Sequence, residues 1–494
     1  MSPWPELDLP VQLLYQRVYA VLLALTLLHQ IAPNARRFLV SDRWGGYARS
    51  SPVVDIMHRP WLAPIVLAGW LACAVALACD WQPVAAGLIN LYLCRYYFVA
   101  MRWRGVLRGF GAPGYMTYWL GLAVLLMAVT RDHAPALHAP ALLFLQIDLA
   151  LIIFSASFYK FKSGYRQGEG MDYGMVNPMW AYWPGLFRRL PVGHPIFRLL
   201  NASAWSSQFL AALLMVIPQT RWIGGLLILL TYLFIFTQIR LGWLAELMML
   251  AGLLFFTAGS PPAVLIGSLP GSPTSATVAA AVPEAVISAG RLLIAVHLAG
   301  TVLCHAGLYY NFYGRRRLPA PLQRAVEIYS NLFGIIIWRV FTVDILNFHI
   351  AIHVADTPDA PPGSRRTLSQ WRSPSSLRFW NVGEAITVTS LFTTLKYYPS
   401  NHGLFQERLV RYARTLPCPP TGEVCFEYVS IQKHGQRYVD RSVMLFHVDP
   451  RAGSVRVDHL DPRFSASATP GSVVHEAALP GSYAPKAVPP VTSP

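Results

Sequence analysis

About ten apolar runs, each near the ~20 residues needed to cross the hydrocarbon core of a bilayer, fill most of residues 11–352. They lie at roughly 11–32, 61–79, 83–101, 115–130, 140–158, 203–218, 222–239, 241–258, 285–309 and 326–352. A backbone in lipid must satisfy its own hydrogen bonds, so runs of this kind form helices. The expected fold is therefore an all-α polytopic membrane bundle of about ten helices, followed by a small C-terminal α+β extramembrane domain. The balance of 54% hydrophobic and 13% charged residues agrees, being too apolar for a soluble chain of this length. Residues 1–10 lack the basic segment of a cleavable signal peptide, so the run from Val11 is expected to stay as a membrane helix.

Loop charge gives an orientation. If loops alternate sides, one set holds nearly all the loop cations up to the last run, from Arg36 through Lys160 and Arg188 to Arg315, Arg316, Arg317 and Arg324. The opposite set, up to the last run, holds Arg131 and Arg221. The positive-inside bias then puts the first set in the cytoplasm of an inner-membrane protein. It also puts the N-terminus, the 260–284 loop and everything past about residue 355 outside. The net charge of +16 is read as topology and attraction to anionic lipid, with the bilayer as partner and no nucleic acid.

The expected domains are a membrane domain at 1–354, a Pro/Ser-rich linker at 355–378, a compact domain at 379–462 and a disordered tail at 463–494. Within the compact domain, 402–416 places Leu404, Phe405, Leu409, Tyr412 and Leu416 on one helix face. Segments 424–432 and 438–448 read as strands joined at Lys433-His434-Gly435-Gln436, and a third strand is expected from Ser454 to Leu460.

One stretch, Phe154 to Trp183, concentrates chemistry at the end of an apolar run. It holds Lys160 and Lys162, two of the five lysines in a chain with 35 arginines. Arg keeps its proton in proteins, whereas a desolvated Lys can lose it and act as a base or nucleophile. Gly164, Gly168, Gly170 and Gly174 follow, then the interfacial aromatics Trp180, Tyr182 and Trp183. The same lysines could instead serve as anchors reaching to lipid phosphates. Intramembrane Arg17, Arg95, Asp148, Glu246, Arg291, Arg339 and Asp344 are functional candidates or helix-packing ion pairs. His297 with His305, and His349 with His353 at i, i+4, leave a haem or metal reading open. Cys418 and Cys425 flank a short segment in the expected external domain, where an oxidising compartment favours a disulfide.

Around Lys160-Phe161, Tyr165 and Gly168 the chain resembles the membrane domain shared by vitamin K-dependent gamma-glutamyl carboxylases and their bacterial relatives, the HTTM family. That family shows a helix ending in a Lys-Leu-like pair, then an aromatic, usually Trp, and a Gly. The stretch LINLYLCRYYFVAMRWRGVLRGFGAPGYMTYWLGL also looks like its helix, Gly-rich loop and helix, and the resemblance covers about residues 11–350. It implies a reduced, vitamin K-like quinone as cofactor, with Lys160 or Lys162 as the base that deprotonates it. Tyr165, Gly168 and Trp180 would bind substrate or cofactor, and a peptide or small molecule would be carboxylated in a lyase reaction. Two other readings stay open: a non-enzymatic scaffold or maturation and export partner, and a haem-bearing redox protein.

Overall fold

A computed structural model describes residues 4–35, 38–39, 56–57, 59–100, 111–269, 282–338, 343–357, 361–368, 382–397 and 402–461. The chain is mostly helical, with an antiparallel sheet domain near its C-terminus. Among the described residues six helices are long and apolar enough to cross a membrane: Leu9–Asn34, Gly111–Asp132, Pro135–Lys162, Pro195–Val216, Arg221–Gln238 and Glu284–Gly314. Two more, Leu62–Ala78 and Leu244–Phe255, are apolar but shorter.

The regular helices are α1 (Leu9–Thr26), α2 (Leu62–Ala78), α3 (Pro83–Cys94), α4 (Gly111–Asp132), α5 (His138–Lys162), α6 (Met171–Val176), α7 (Pro195–Val216), α8 (Arg221–Gln238), α9 (Leu244–Gly252) and α10 (Glu284–Gly314). A π-helical stretch, Arg95–Ala100, continues α3. Buried polar side chains tie the first four helices together. Trp70 Nε1 donates to Asn90 Oδ1 (2.9 Å), Asn90 Nδ2 to Tyr19 OH (2.8 Å), and Tyr19 OH to the Thr117 carbonyl (3.0 Å). Each group in this chain finds a partner, which a bilayer interior demands. Helices α8 and α9 meet through glycines: a Cβ on Gly225 would come within 2.5 Å of the Gly252 carbonyl oxygen.

The final expected span, 326–352, does not form. Helix α11 (Ala320–Phe333) turns back beside α10, where Tyr329 OH lies 2.6 Å from His297 Nδ1. The chain then passes α5, with Trp338 N donating to Ser155 Oγ (3.1 Å), and returns to the loop beyond Lys160. There Asn177 Nδ2 donates to the carbonyls of Leu346 and Phe348, both at 2.8 Å. Residues 348–355 are a strand, because FHIAIHVA alternates: Phe348, Ile350, Ile352 and Val354 are buried on one face.

That strand, β1 (Phe348–Ala355), belongs to a five-stranded antiparallel sheet ordered β2-β1-β3-β4-β5. The others are β2 (Arg366–Thr367), β3 (Glu423–His434), β4 (Arg437–Asp449) and β5 (Ser454–His459). The sheet thus takes in residues from both the expected last span and the expected linker. Helices α12 (Val382–Tyr397) and α13 (His402–Ala413) cover its apolar face. Phe392 and Phe405 meet at 5.4 Å, and Phe405 meets Phe446 at 5.4 Å. The tail beyond residue 461 lies outside the described residues.

The sheet domain packs directly against the loop after Lys160, whereas the loop-charge reading set the two in opposite compartments. Lys433 Nζ is 2.9 Å from Asp172 Oδ2, Val192 N donates to the Gln436 carbonyl (3.0 Å), and Arg188 pairs with Asp440. Cys418 and Cys425 are free thiols and not a disulfide. Cys425 is fixed by its place in β3, where its Sγ faces Glu423 and His447.

Candidate functional site

Helix α5 delivers Lys160 near its C-terminal end, and the side chain turns inward instead of reaching to the surface. Lys160 is 6% exposed. Its Nζ donates to Gln208 Oε1 of α7 at 2.7 Å. Among the described residues no carboxylate pairs with it, so the helix-packing ion pair, one ordinary role of an intramembrane cation, is not its role here.

Lys160 opens into a cavity of about 270 Å³ between α5, α7 and α8. Leu200, Ala204, Leu230, Phe234 and Ile235 make most of the wall apolar, and Ser203, Ser207 and Thr231 add hydroxyls. Thr231 Oγ1 donates to Ser207 Oγ at 3.3 Å. Leu230 is 51% and Phe234 42% exposed, so the cavity reaches the apolar outer face of the helices. A site that is mostly apolar with a few convergent polar groups is the usual form of a small-molecule pocket.

Tyr165 lines the same cavity from the 3₁₀ turn Tyr165–Gln167. Burial and then the Asp172 carboxylate push its phenol well above the ordinary range, which keeps it protonated. The glycine loop sets its position. Gly170 has φ 149°, and a Cβ there would lie 2.5 Å from the Tyr165 ring. Asp172 Oδ1 accepts from Gly170 N (2.7 Å), and Asn201 Oδ1 accepts from Met171 N (2.8 Å), which locks the loop to α7.

The other expected residues separate from this pair. Lys162 is exposed, its Nζ 5.7 Å from the Phe158 ring centroid, as suits a surface anchor. Gly168 closes the turn by donating its N–H to the Tyr165 carbonyl (3.1 Å) and does not line the cavity. Trp180 is buried behind it, its carbonyl accepting from Arg240 N (2.7 Å) next to the lining residue Ile239.

Gln208, Ser203, Ser207 and Thr231 escape a search of the sequence for ionisable groups alone. The polar run Ser203, Ser206, Ser207 and Gln208 inside an apolar helix is the signal that finds them.

The four histidines do not converge. His297 bonds Tyr329, and His305 lies 4.0 Å from Asp148. His349 and His353 are on β1, facing Asp440 (3.4 Å) and Glu427 (3.2 Å). Arg291 pairs with Glu284 at 3.3 Å. Arg339 and the Asp344 side chain lie outside the described residues.

In comparisons with known proteins, no family model matches the chain, and no curated protein and no solved structure is similar to it.

Proposed function

We propose that this is an integral inner-membrane protein whose lateral pocket binds an apolar molecule with an acidic polar head, with Lys160 as the group that takes its proton. One observation carries the reading: a buried lysine whose amine has a neutral amide as its only hydrogen-bond partner among the described residues, set at the polar end of a pocket open to the lipid face. Gln208 orients the amine, and the Tyr165 phenol and the Ser203, Ser207 and Thr231 hydroxyls are placed to hydrogen-bond the head. Apolar Leu230 and Phe234 offer a path for the tail. A reduced, vitamin K-like quinone has this shape and polarity, and the HTTM resemblance supports it as the cofactor. When bound it would supply the acidic hydroxyl and the electrons that reduce dioxygen, in a carboxylation of a peptide or small molecule that consumes carbon dioxide as the source of the new carboxyl group. Gly168 serves by closing the turn that sets Tyr165, Trp180 by holding the segment beside the lining residue Ile239, and Lys162 by anchoring the helix end.

Nine crossings fit the expected runs, the two shorter apolar helices and the π-extended α3 included, with α11 as a re-entrant element in place of the tenth. The N-terminus and C-terminal domain then lie on opposite sides. The arginine-rich side, which carries the sheet domain, is the cytoplasm by the positive-inside bias.

A second reading, a non-enzymatic scaffold or maturation partner, draws on α10. Its apolar span is only 6% buried and so presents a large face to lipid or to a partner helix.

The test is mass spectrometry of lipid extracts from the purified protein and from Ala204→Phe, which fills the cavity. A quinone retained by the wild type and lost in the variant supports the pocket; equal amounts in both overturn it.

A further inference from the structure

The non-helix face of the sheet carries a cluster that the membrane pocket does not use. Glu423 and Cys425 are two apart on β3 and so share a face, and His447 on β4 is the register partner of Cys425. All three are buried. Cys425 Sγ lies 3.4 Å from Glu423 Oε1 and 3.6 Å from His447 Nδ1, and His447 Nδ1 lies 2.6 Å from Glu423 Oε1.

We propose that Glu423, Cys425 and His447 form a binding site for a single Zn²⁺ ion, through the carboxylate, Sγ and Nδ1, with water at the fourth position. The spacing is the first reason. Tetrahedral zinc with bonds of about 2.0–2.3 Å to N, O and S sets ligand atoms roughly 3.3–3.6 Å apart. Two of the three edges already have that length, and only the His447–Glu423 edge must open, by about 0.7 Å.

The orientation of the imidazole is the second reason. His447 Nε2 lies 2.9 Å from Asp458 Oδ2 of β5, so the other ring nitrogen is held facing Cys425 and Glu423. A carboxylate behind the imidazole is the usual outer support of a metal-binding histidine. Donor chemistry selects the ion: a thiolate and an imidazole suit zinc and disfavour Mg²⁺ and Ca²⁺, which take oxygen ligands. Burial argues against the competing role of Cys425 as a nucleophile, since its fully buried side chain is closed to a substrate.

The experiment uses the full chain in detergent, with its affinity tag removed and metal stripped by a chelator. Co²⁺ and then Zn²⁺ are added. The wild type should take up one equivalent of Co²⁺ with a thiolate-to-cobalt charge-transfer band and tetrahedral bands in the visible, which Zn²⁺ bleaches. Zn²⁺ should raise its unfolding midpoint. Cys425→Ser should lose the charge-transfer band, and Cys418→Ser should keep it. Asp458→Asn, altered at a half-exposed position, should fold and bind about 10–100-fold more weakly. A wild-type protein that binds neither ion overturns the site, as does a charge-transfer band that survives in Cys425→Ser. Should Cys425→Ser not fold, unchanged affinity in Asp458→Asn would overturn the assignment of His447 as a ligand held by Asp458.

Discussion

Arg188 grips Asp440 with two guanidinium nitrogens, Nη2 at 2.7 Å from Oδ1 and Nη1 at 3.0 Å from Oδ2. The pair fastens β4 of the sheet domain to the loop that sets Tyr165 in the pocket. Arg188 Nε also donates to the Val176 carbonyl (2.8 Å), so the same side chain ties the end of α6 into the joint. Arg188→Ala removes three hydrogen bonds and leaves a half-buried carboxylate short of donors. The expected cost is about 1.5–3 kcal/mol, from the worth of hydrogen bonds to charged groups. It should show as a lower unfolding midpoint and faster proteolytic release of the sheet domain; an unchanged cleavage pattern would mean the joint does not hold the domain.

Acid should loosen the same joint. Burial raises the Asp440 carboxyl, but hydrogen bonds from His349 and Arg188 outweigh it and hold the group well below the usual carboxylate range. Glu427, bonded to His353 and Ser442, is also held low. A carboxyl lowered in the folded state contributes stability above its unfolded value of about 4 and loses it as pH falls toward the folded value. These two groups should therefore leave stability flat between about pH 6 and 8 and reduce it below about pH 4. In Asp440→Asn the acid limb of a melting-temperature profile should be shallower than in the wild type.

The side of the sheet domain can be read with reporters. A fluorescent reporter that matures only in the cytoplasm, fused after Asp461, should glow, and a periplasm-active enzyme there should be silent. The reverse pattern would reverse the whole bundle, because the domain and the Lys160 loop move together. Cys418 and Cys425 should both react with a thiol reagent after denaturation without reductant.

The glycine loop offers a graded test. Gly170→Ala brings a Cβ into the Tyr165 ring at a strained φ, at an expected cost of about 1–3 kcal/mol, and displaces the phenol from the pocket. Gly168→Ala carries strain at φ 82° but meets open space within 4 Å, so the Tyr165 ring stays in place. Ligand retention should fall in the first variant and persist in the second. Equal retention in both would separate Tyr165 from the site.

Much of this architecture is legible in the sequence where one pattern dominates. The apolar runs mark α4, α5, α7, α8 and α10, and the turn at Gly435 with its flanking alternation marks the β3–β4 hairpin. FHIAIHVA is where reading fails, since four apolar residues in strict alternation also pass as the end of an apolar helix. That one ambiguity also hides the contact between the sheet domain and the loop after Lys160. Lys160 stands out by its rarity, whereas Gln208 does not, because a neutral amide in a helix gains meaning only from what it faces. Cys425 and His447 are 22 residues apart, and their meeting depends on a strand register with a shift at Tyr428/Val429.

The amine of Lys160 is the centre of this account, and arginine is the substitution that isolates it. Lys160→Arg keeps a positive charge and hydrogen-bond donors but has no proton to exchange at working pH. The measurement is oxygen uptake by the protein in proteoliposomes, driven by a reduced short-chain naphthoquinone, for the wild type, Lys160→Arg and Lys162→Arg at matched levels. The account predicts uptake by the wild type and by Lys162→Arg, and a loss on the order of 10²–10⁴-fold in Lys160→Arg, the usual worth of a general base. Full uptake by Lys160→Arg, or none by the wild type, would contradict it.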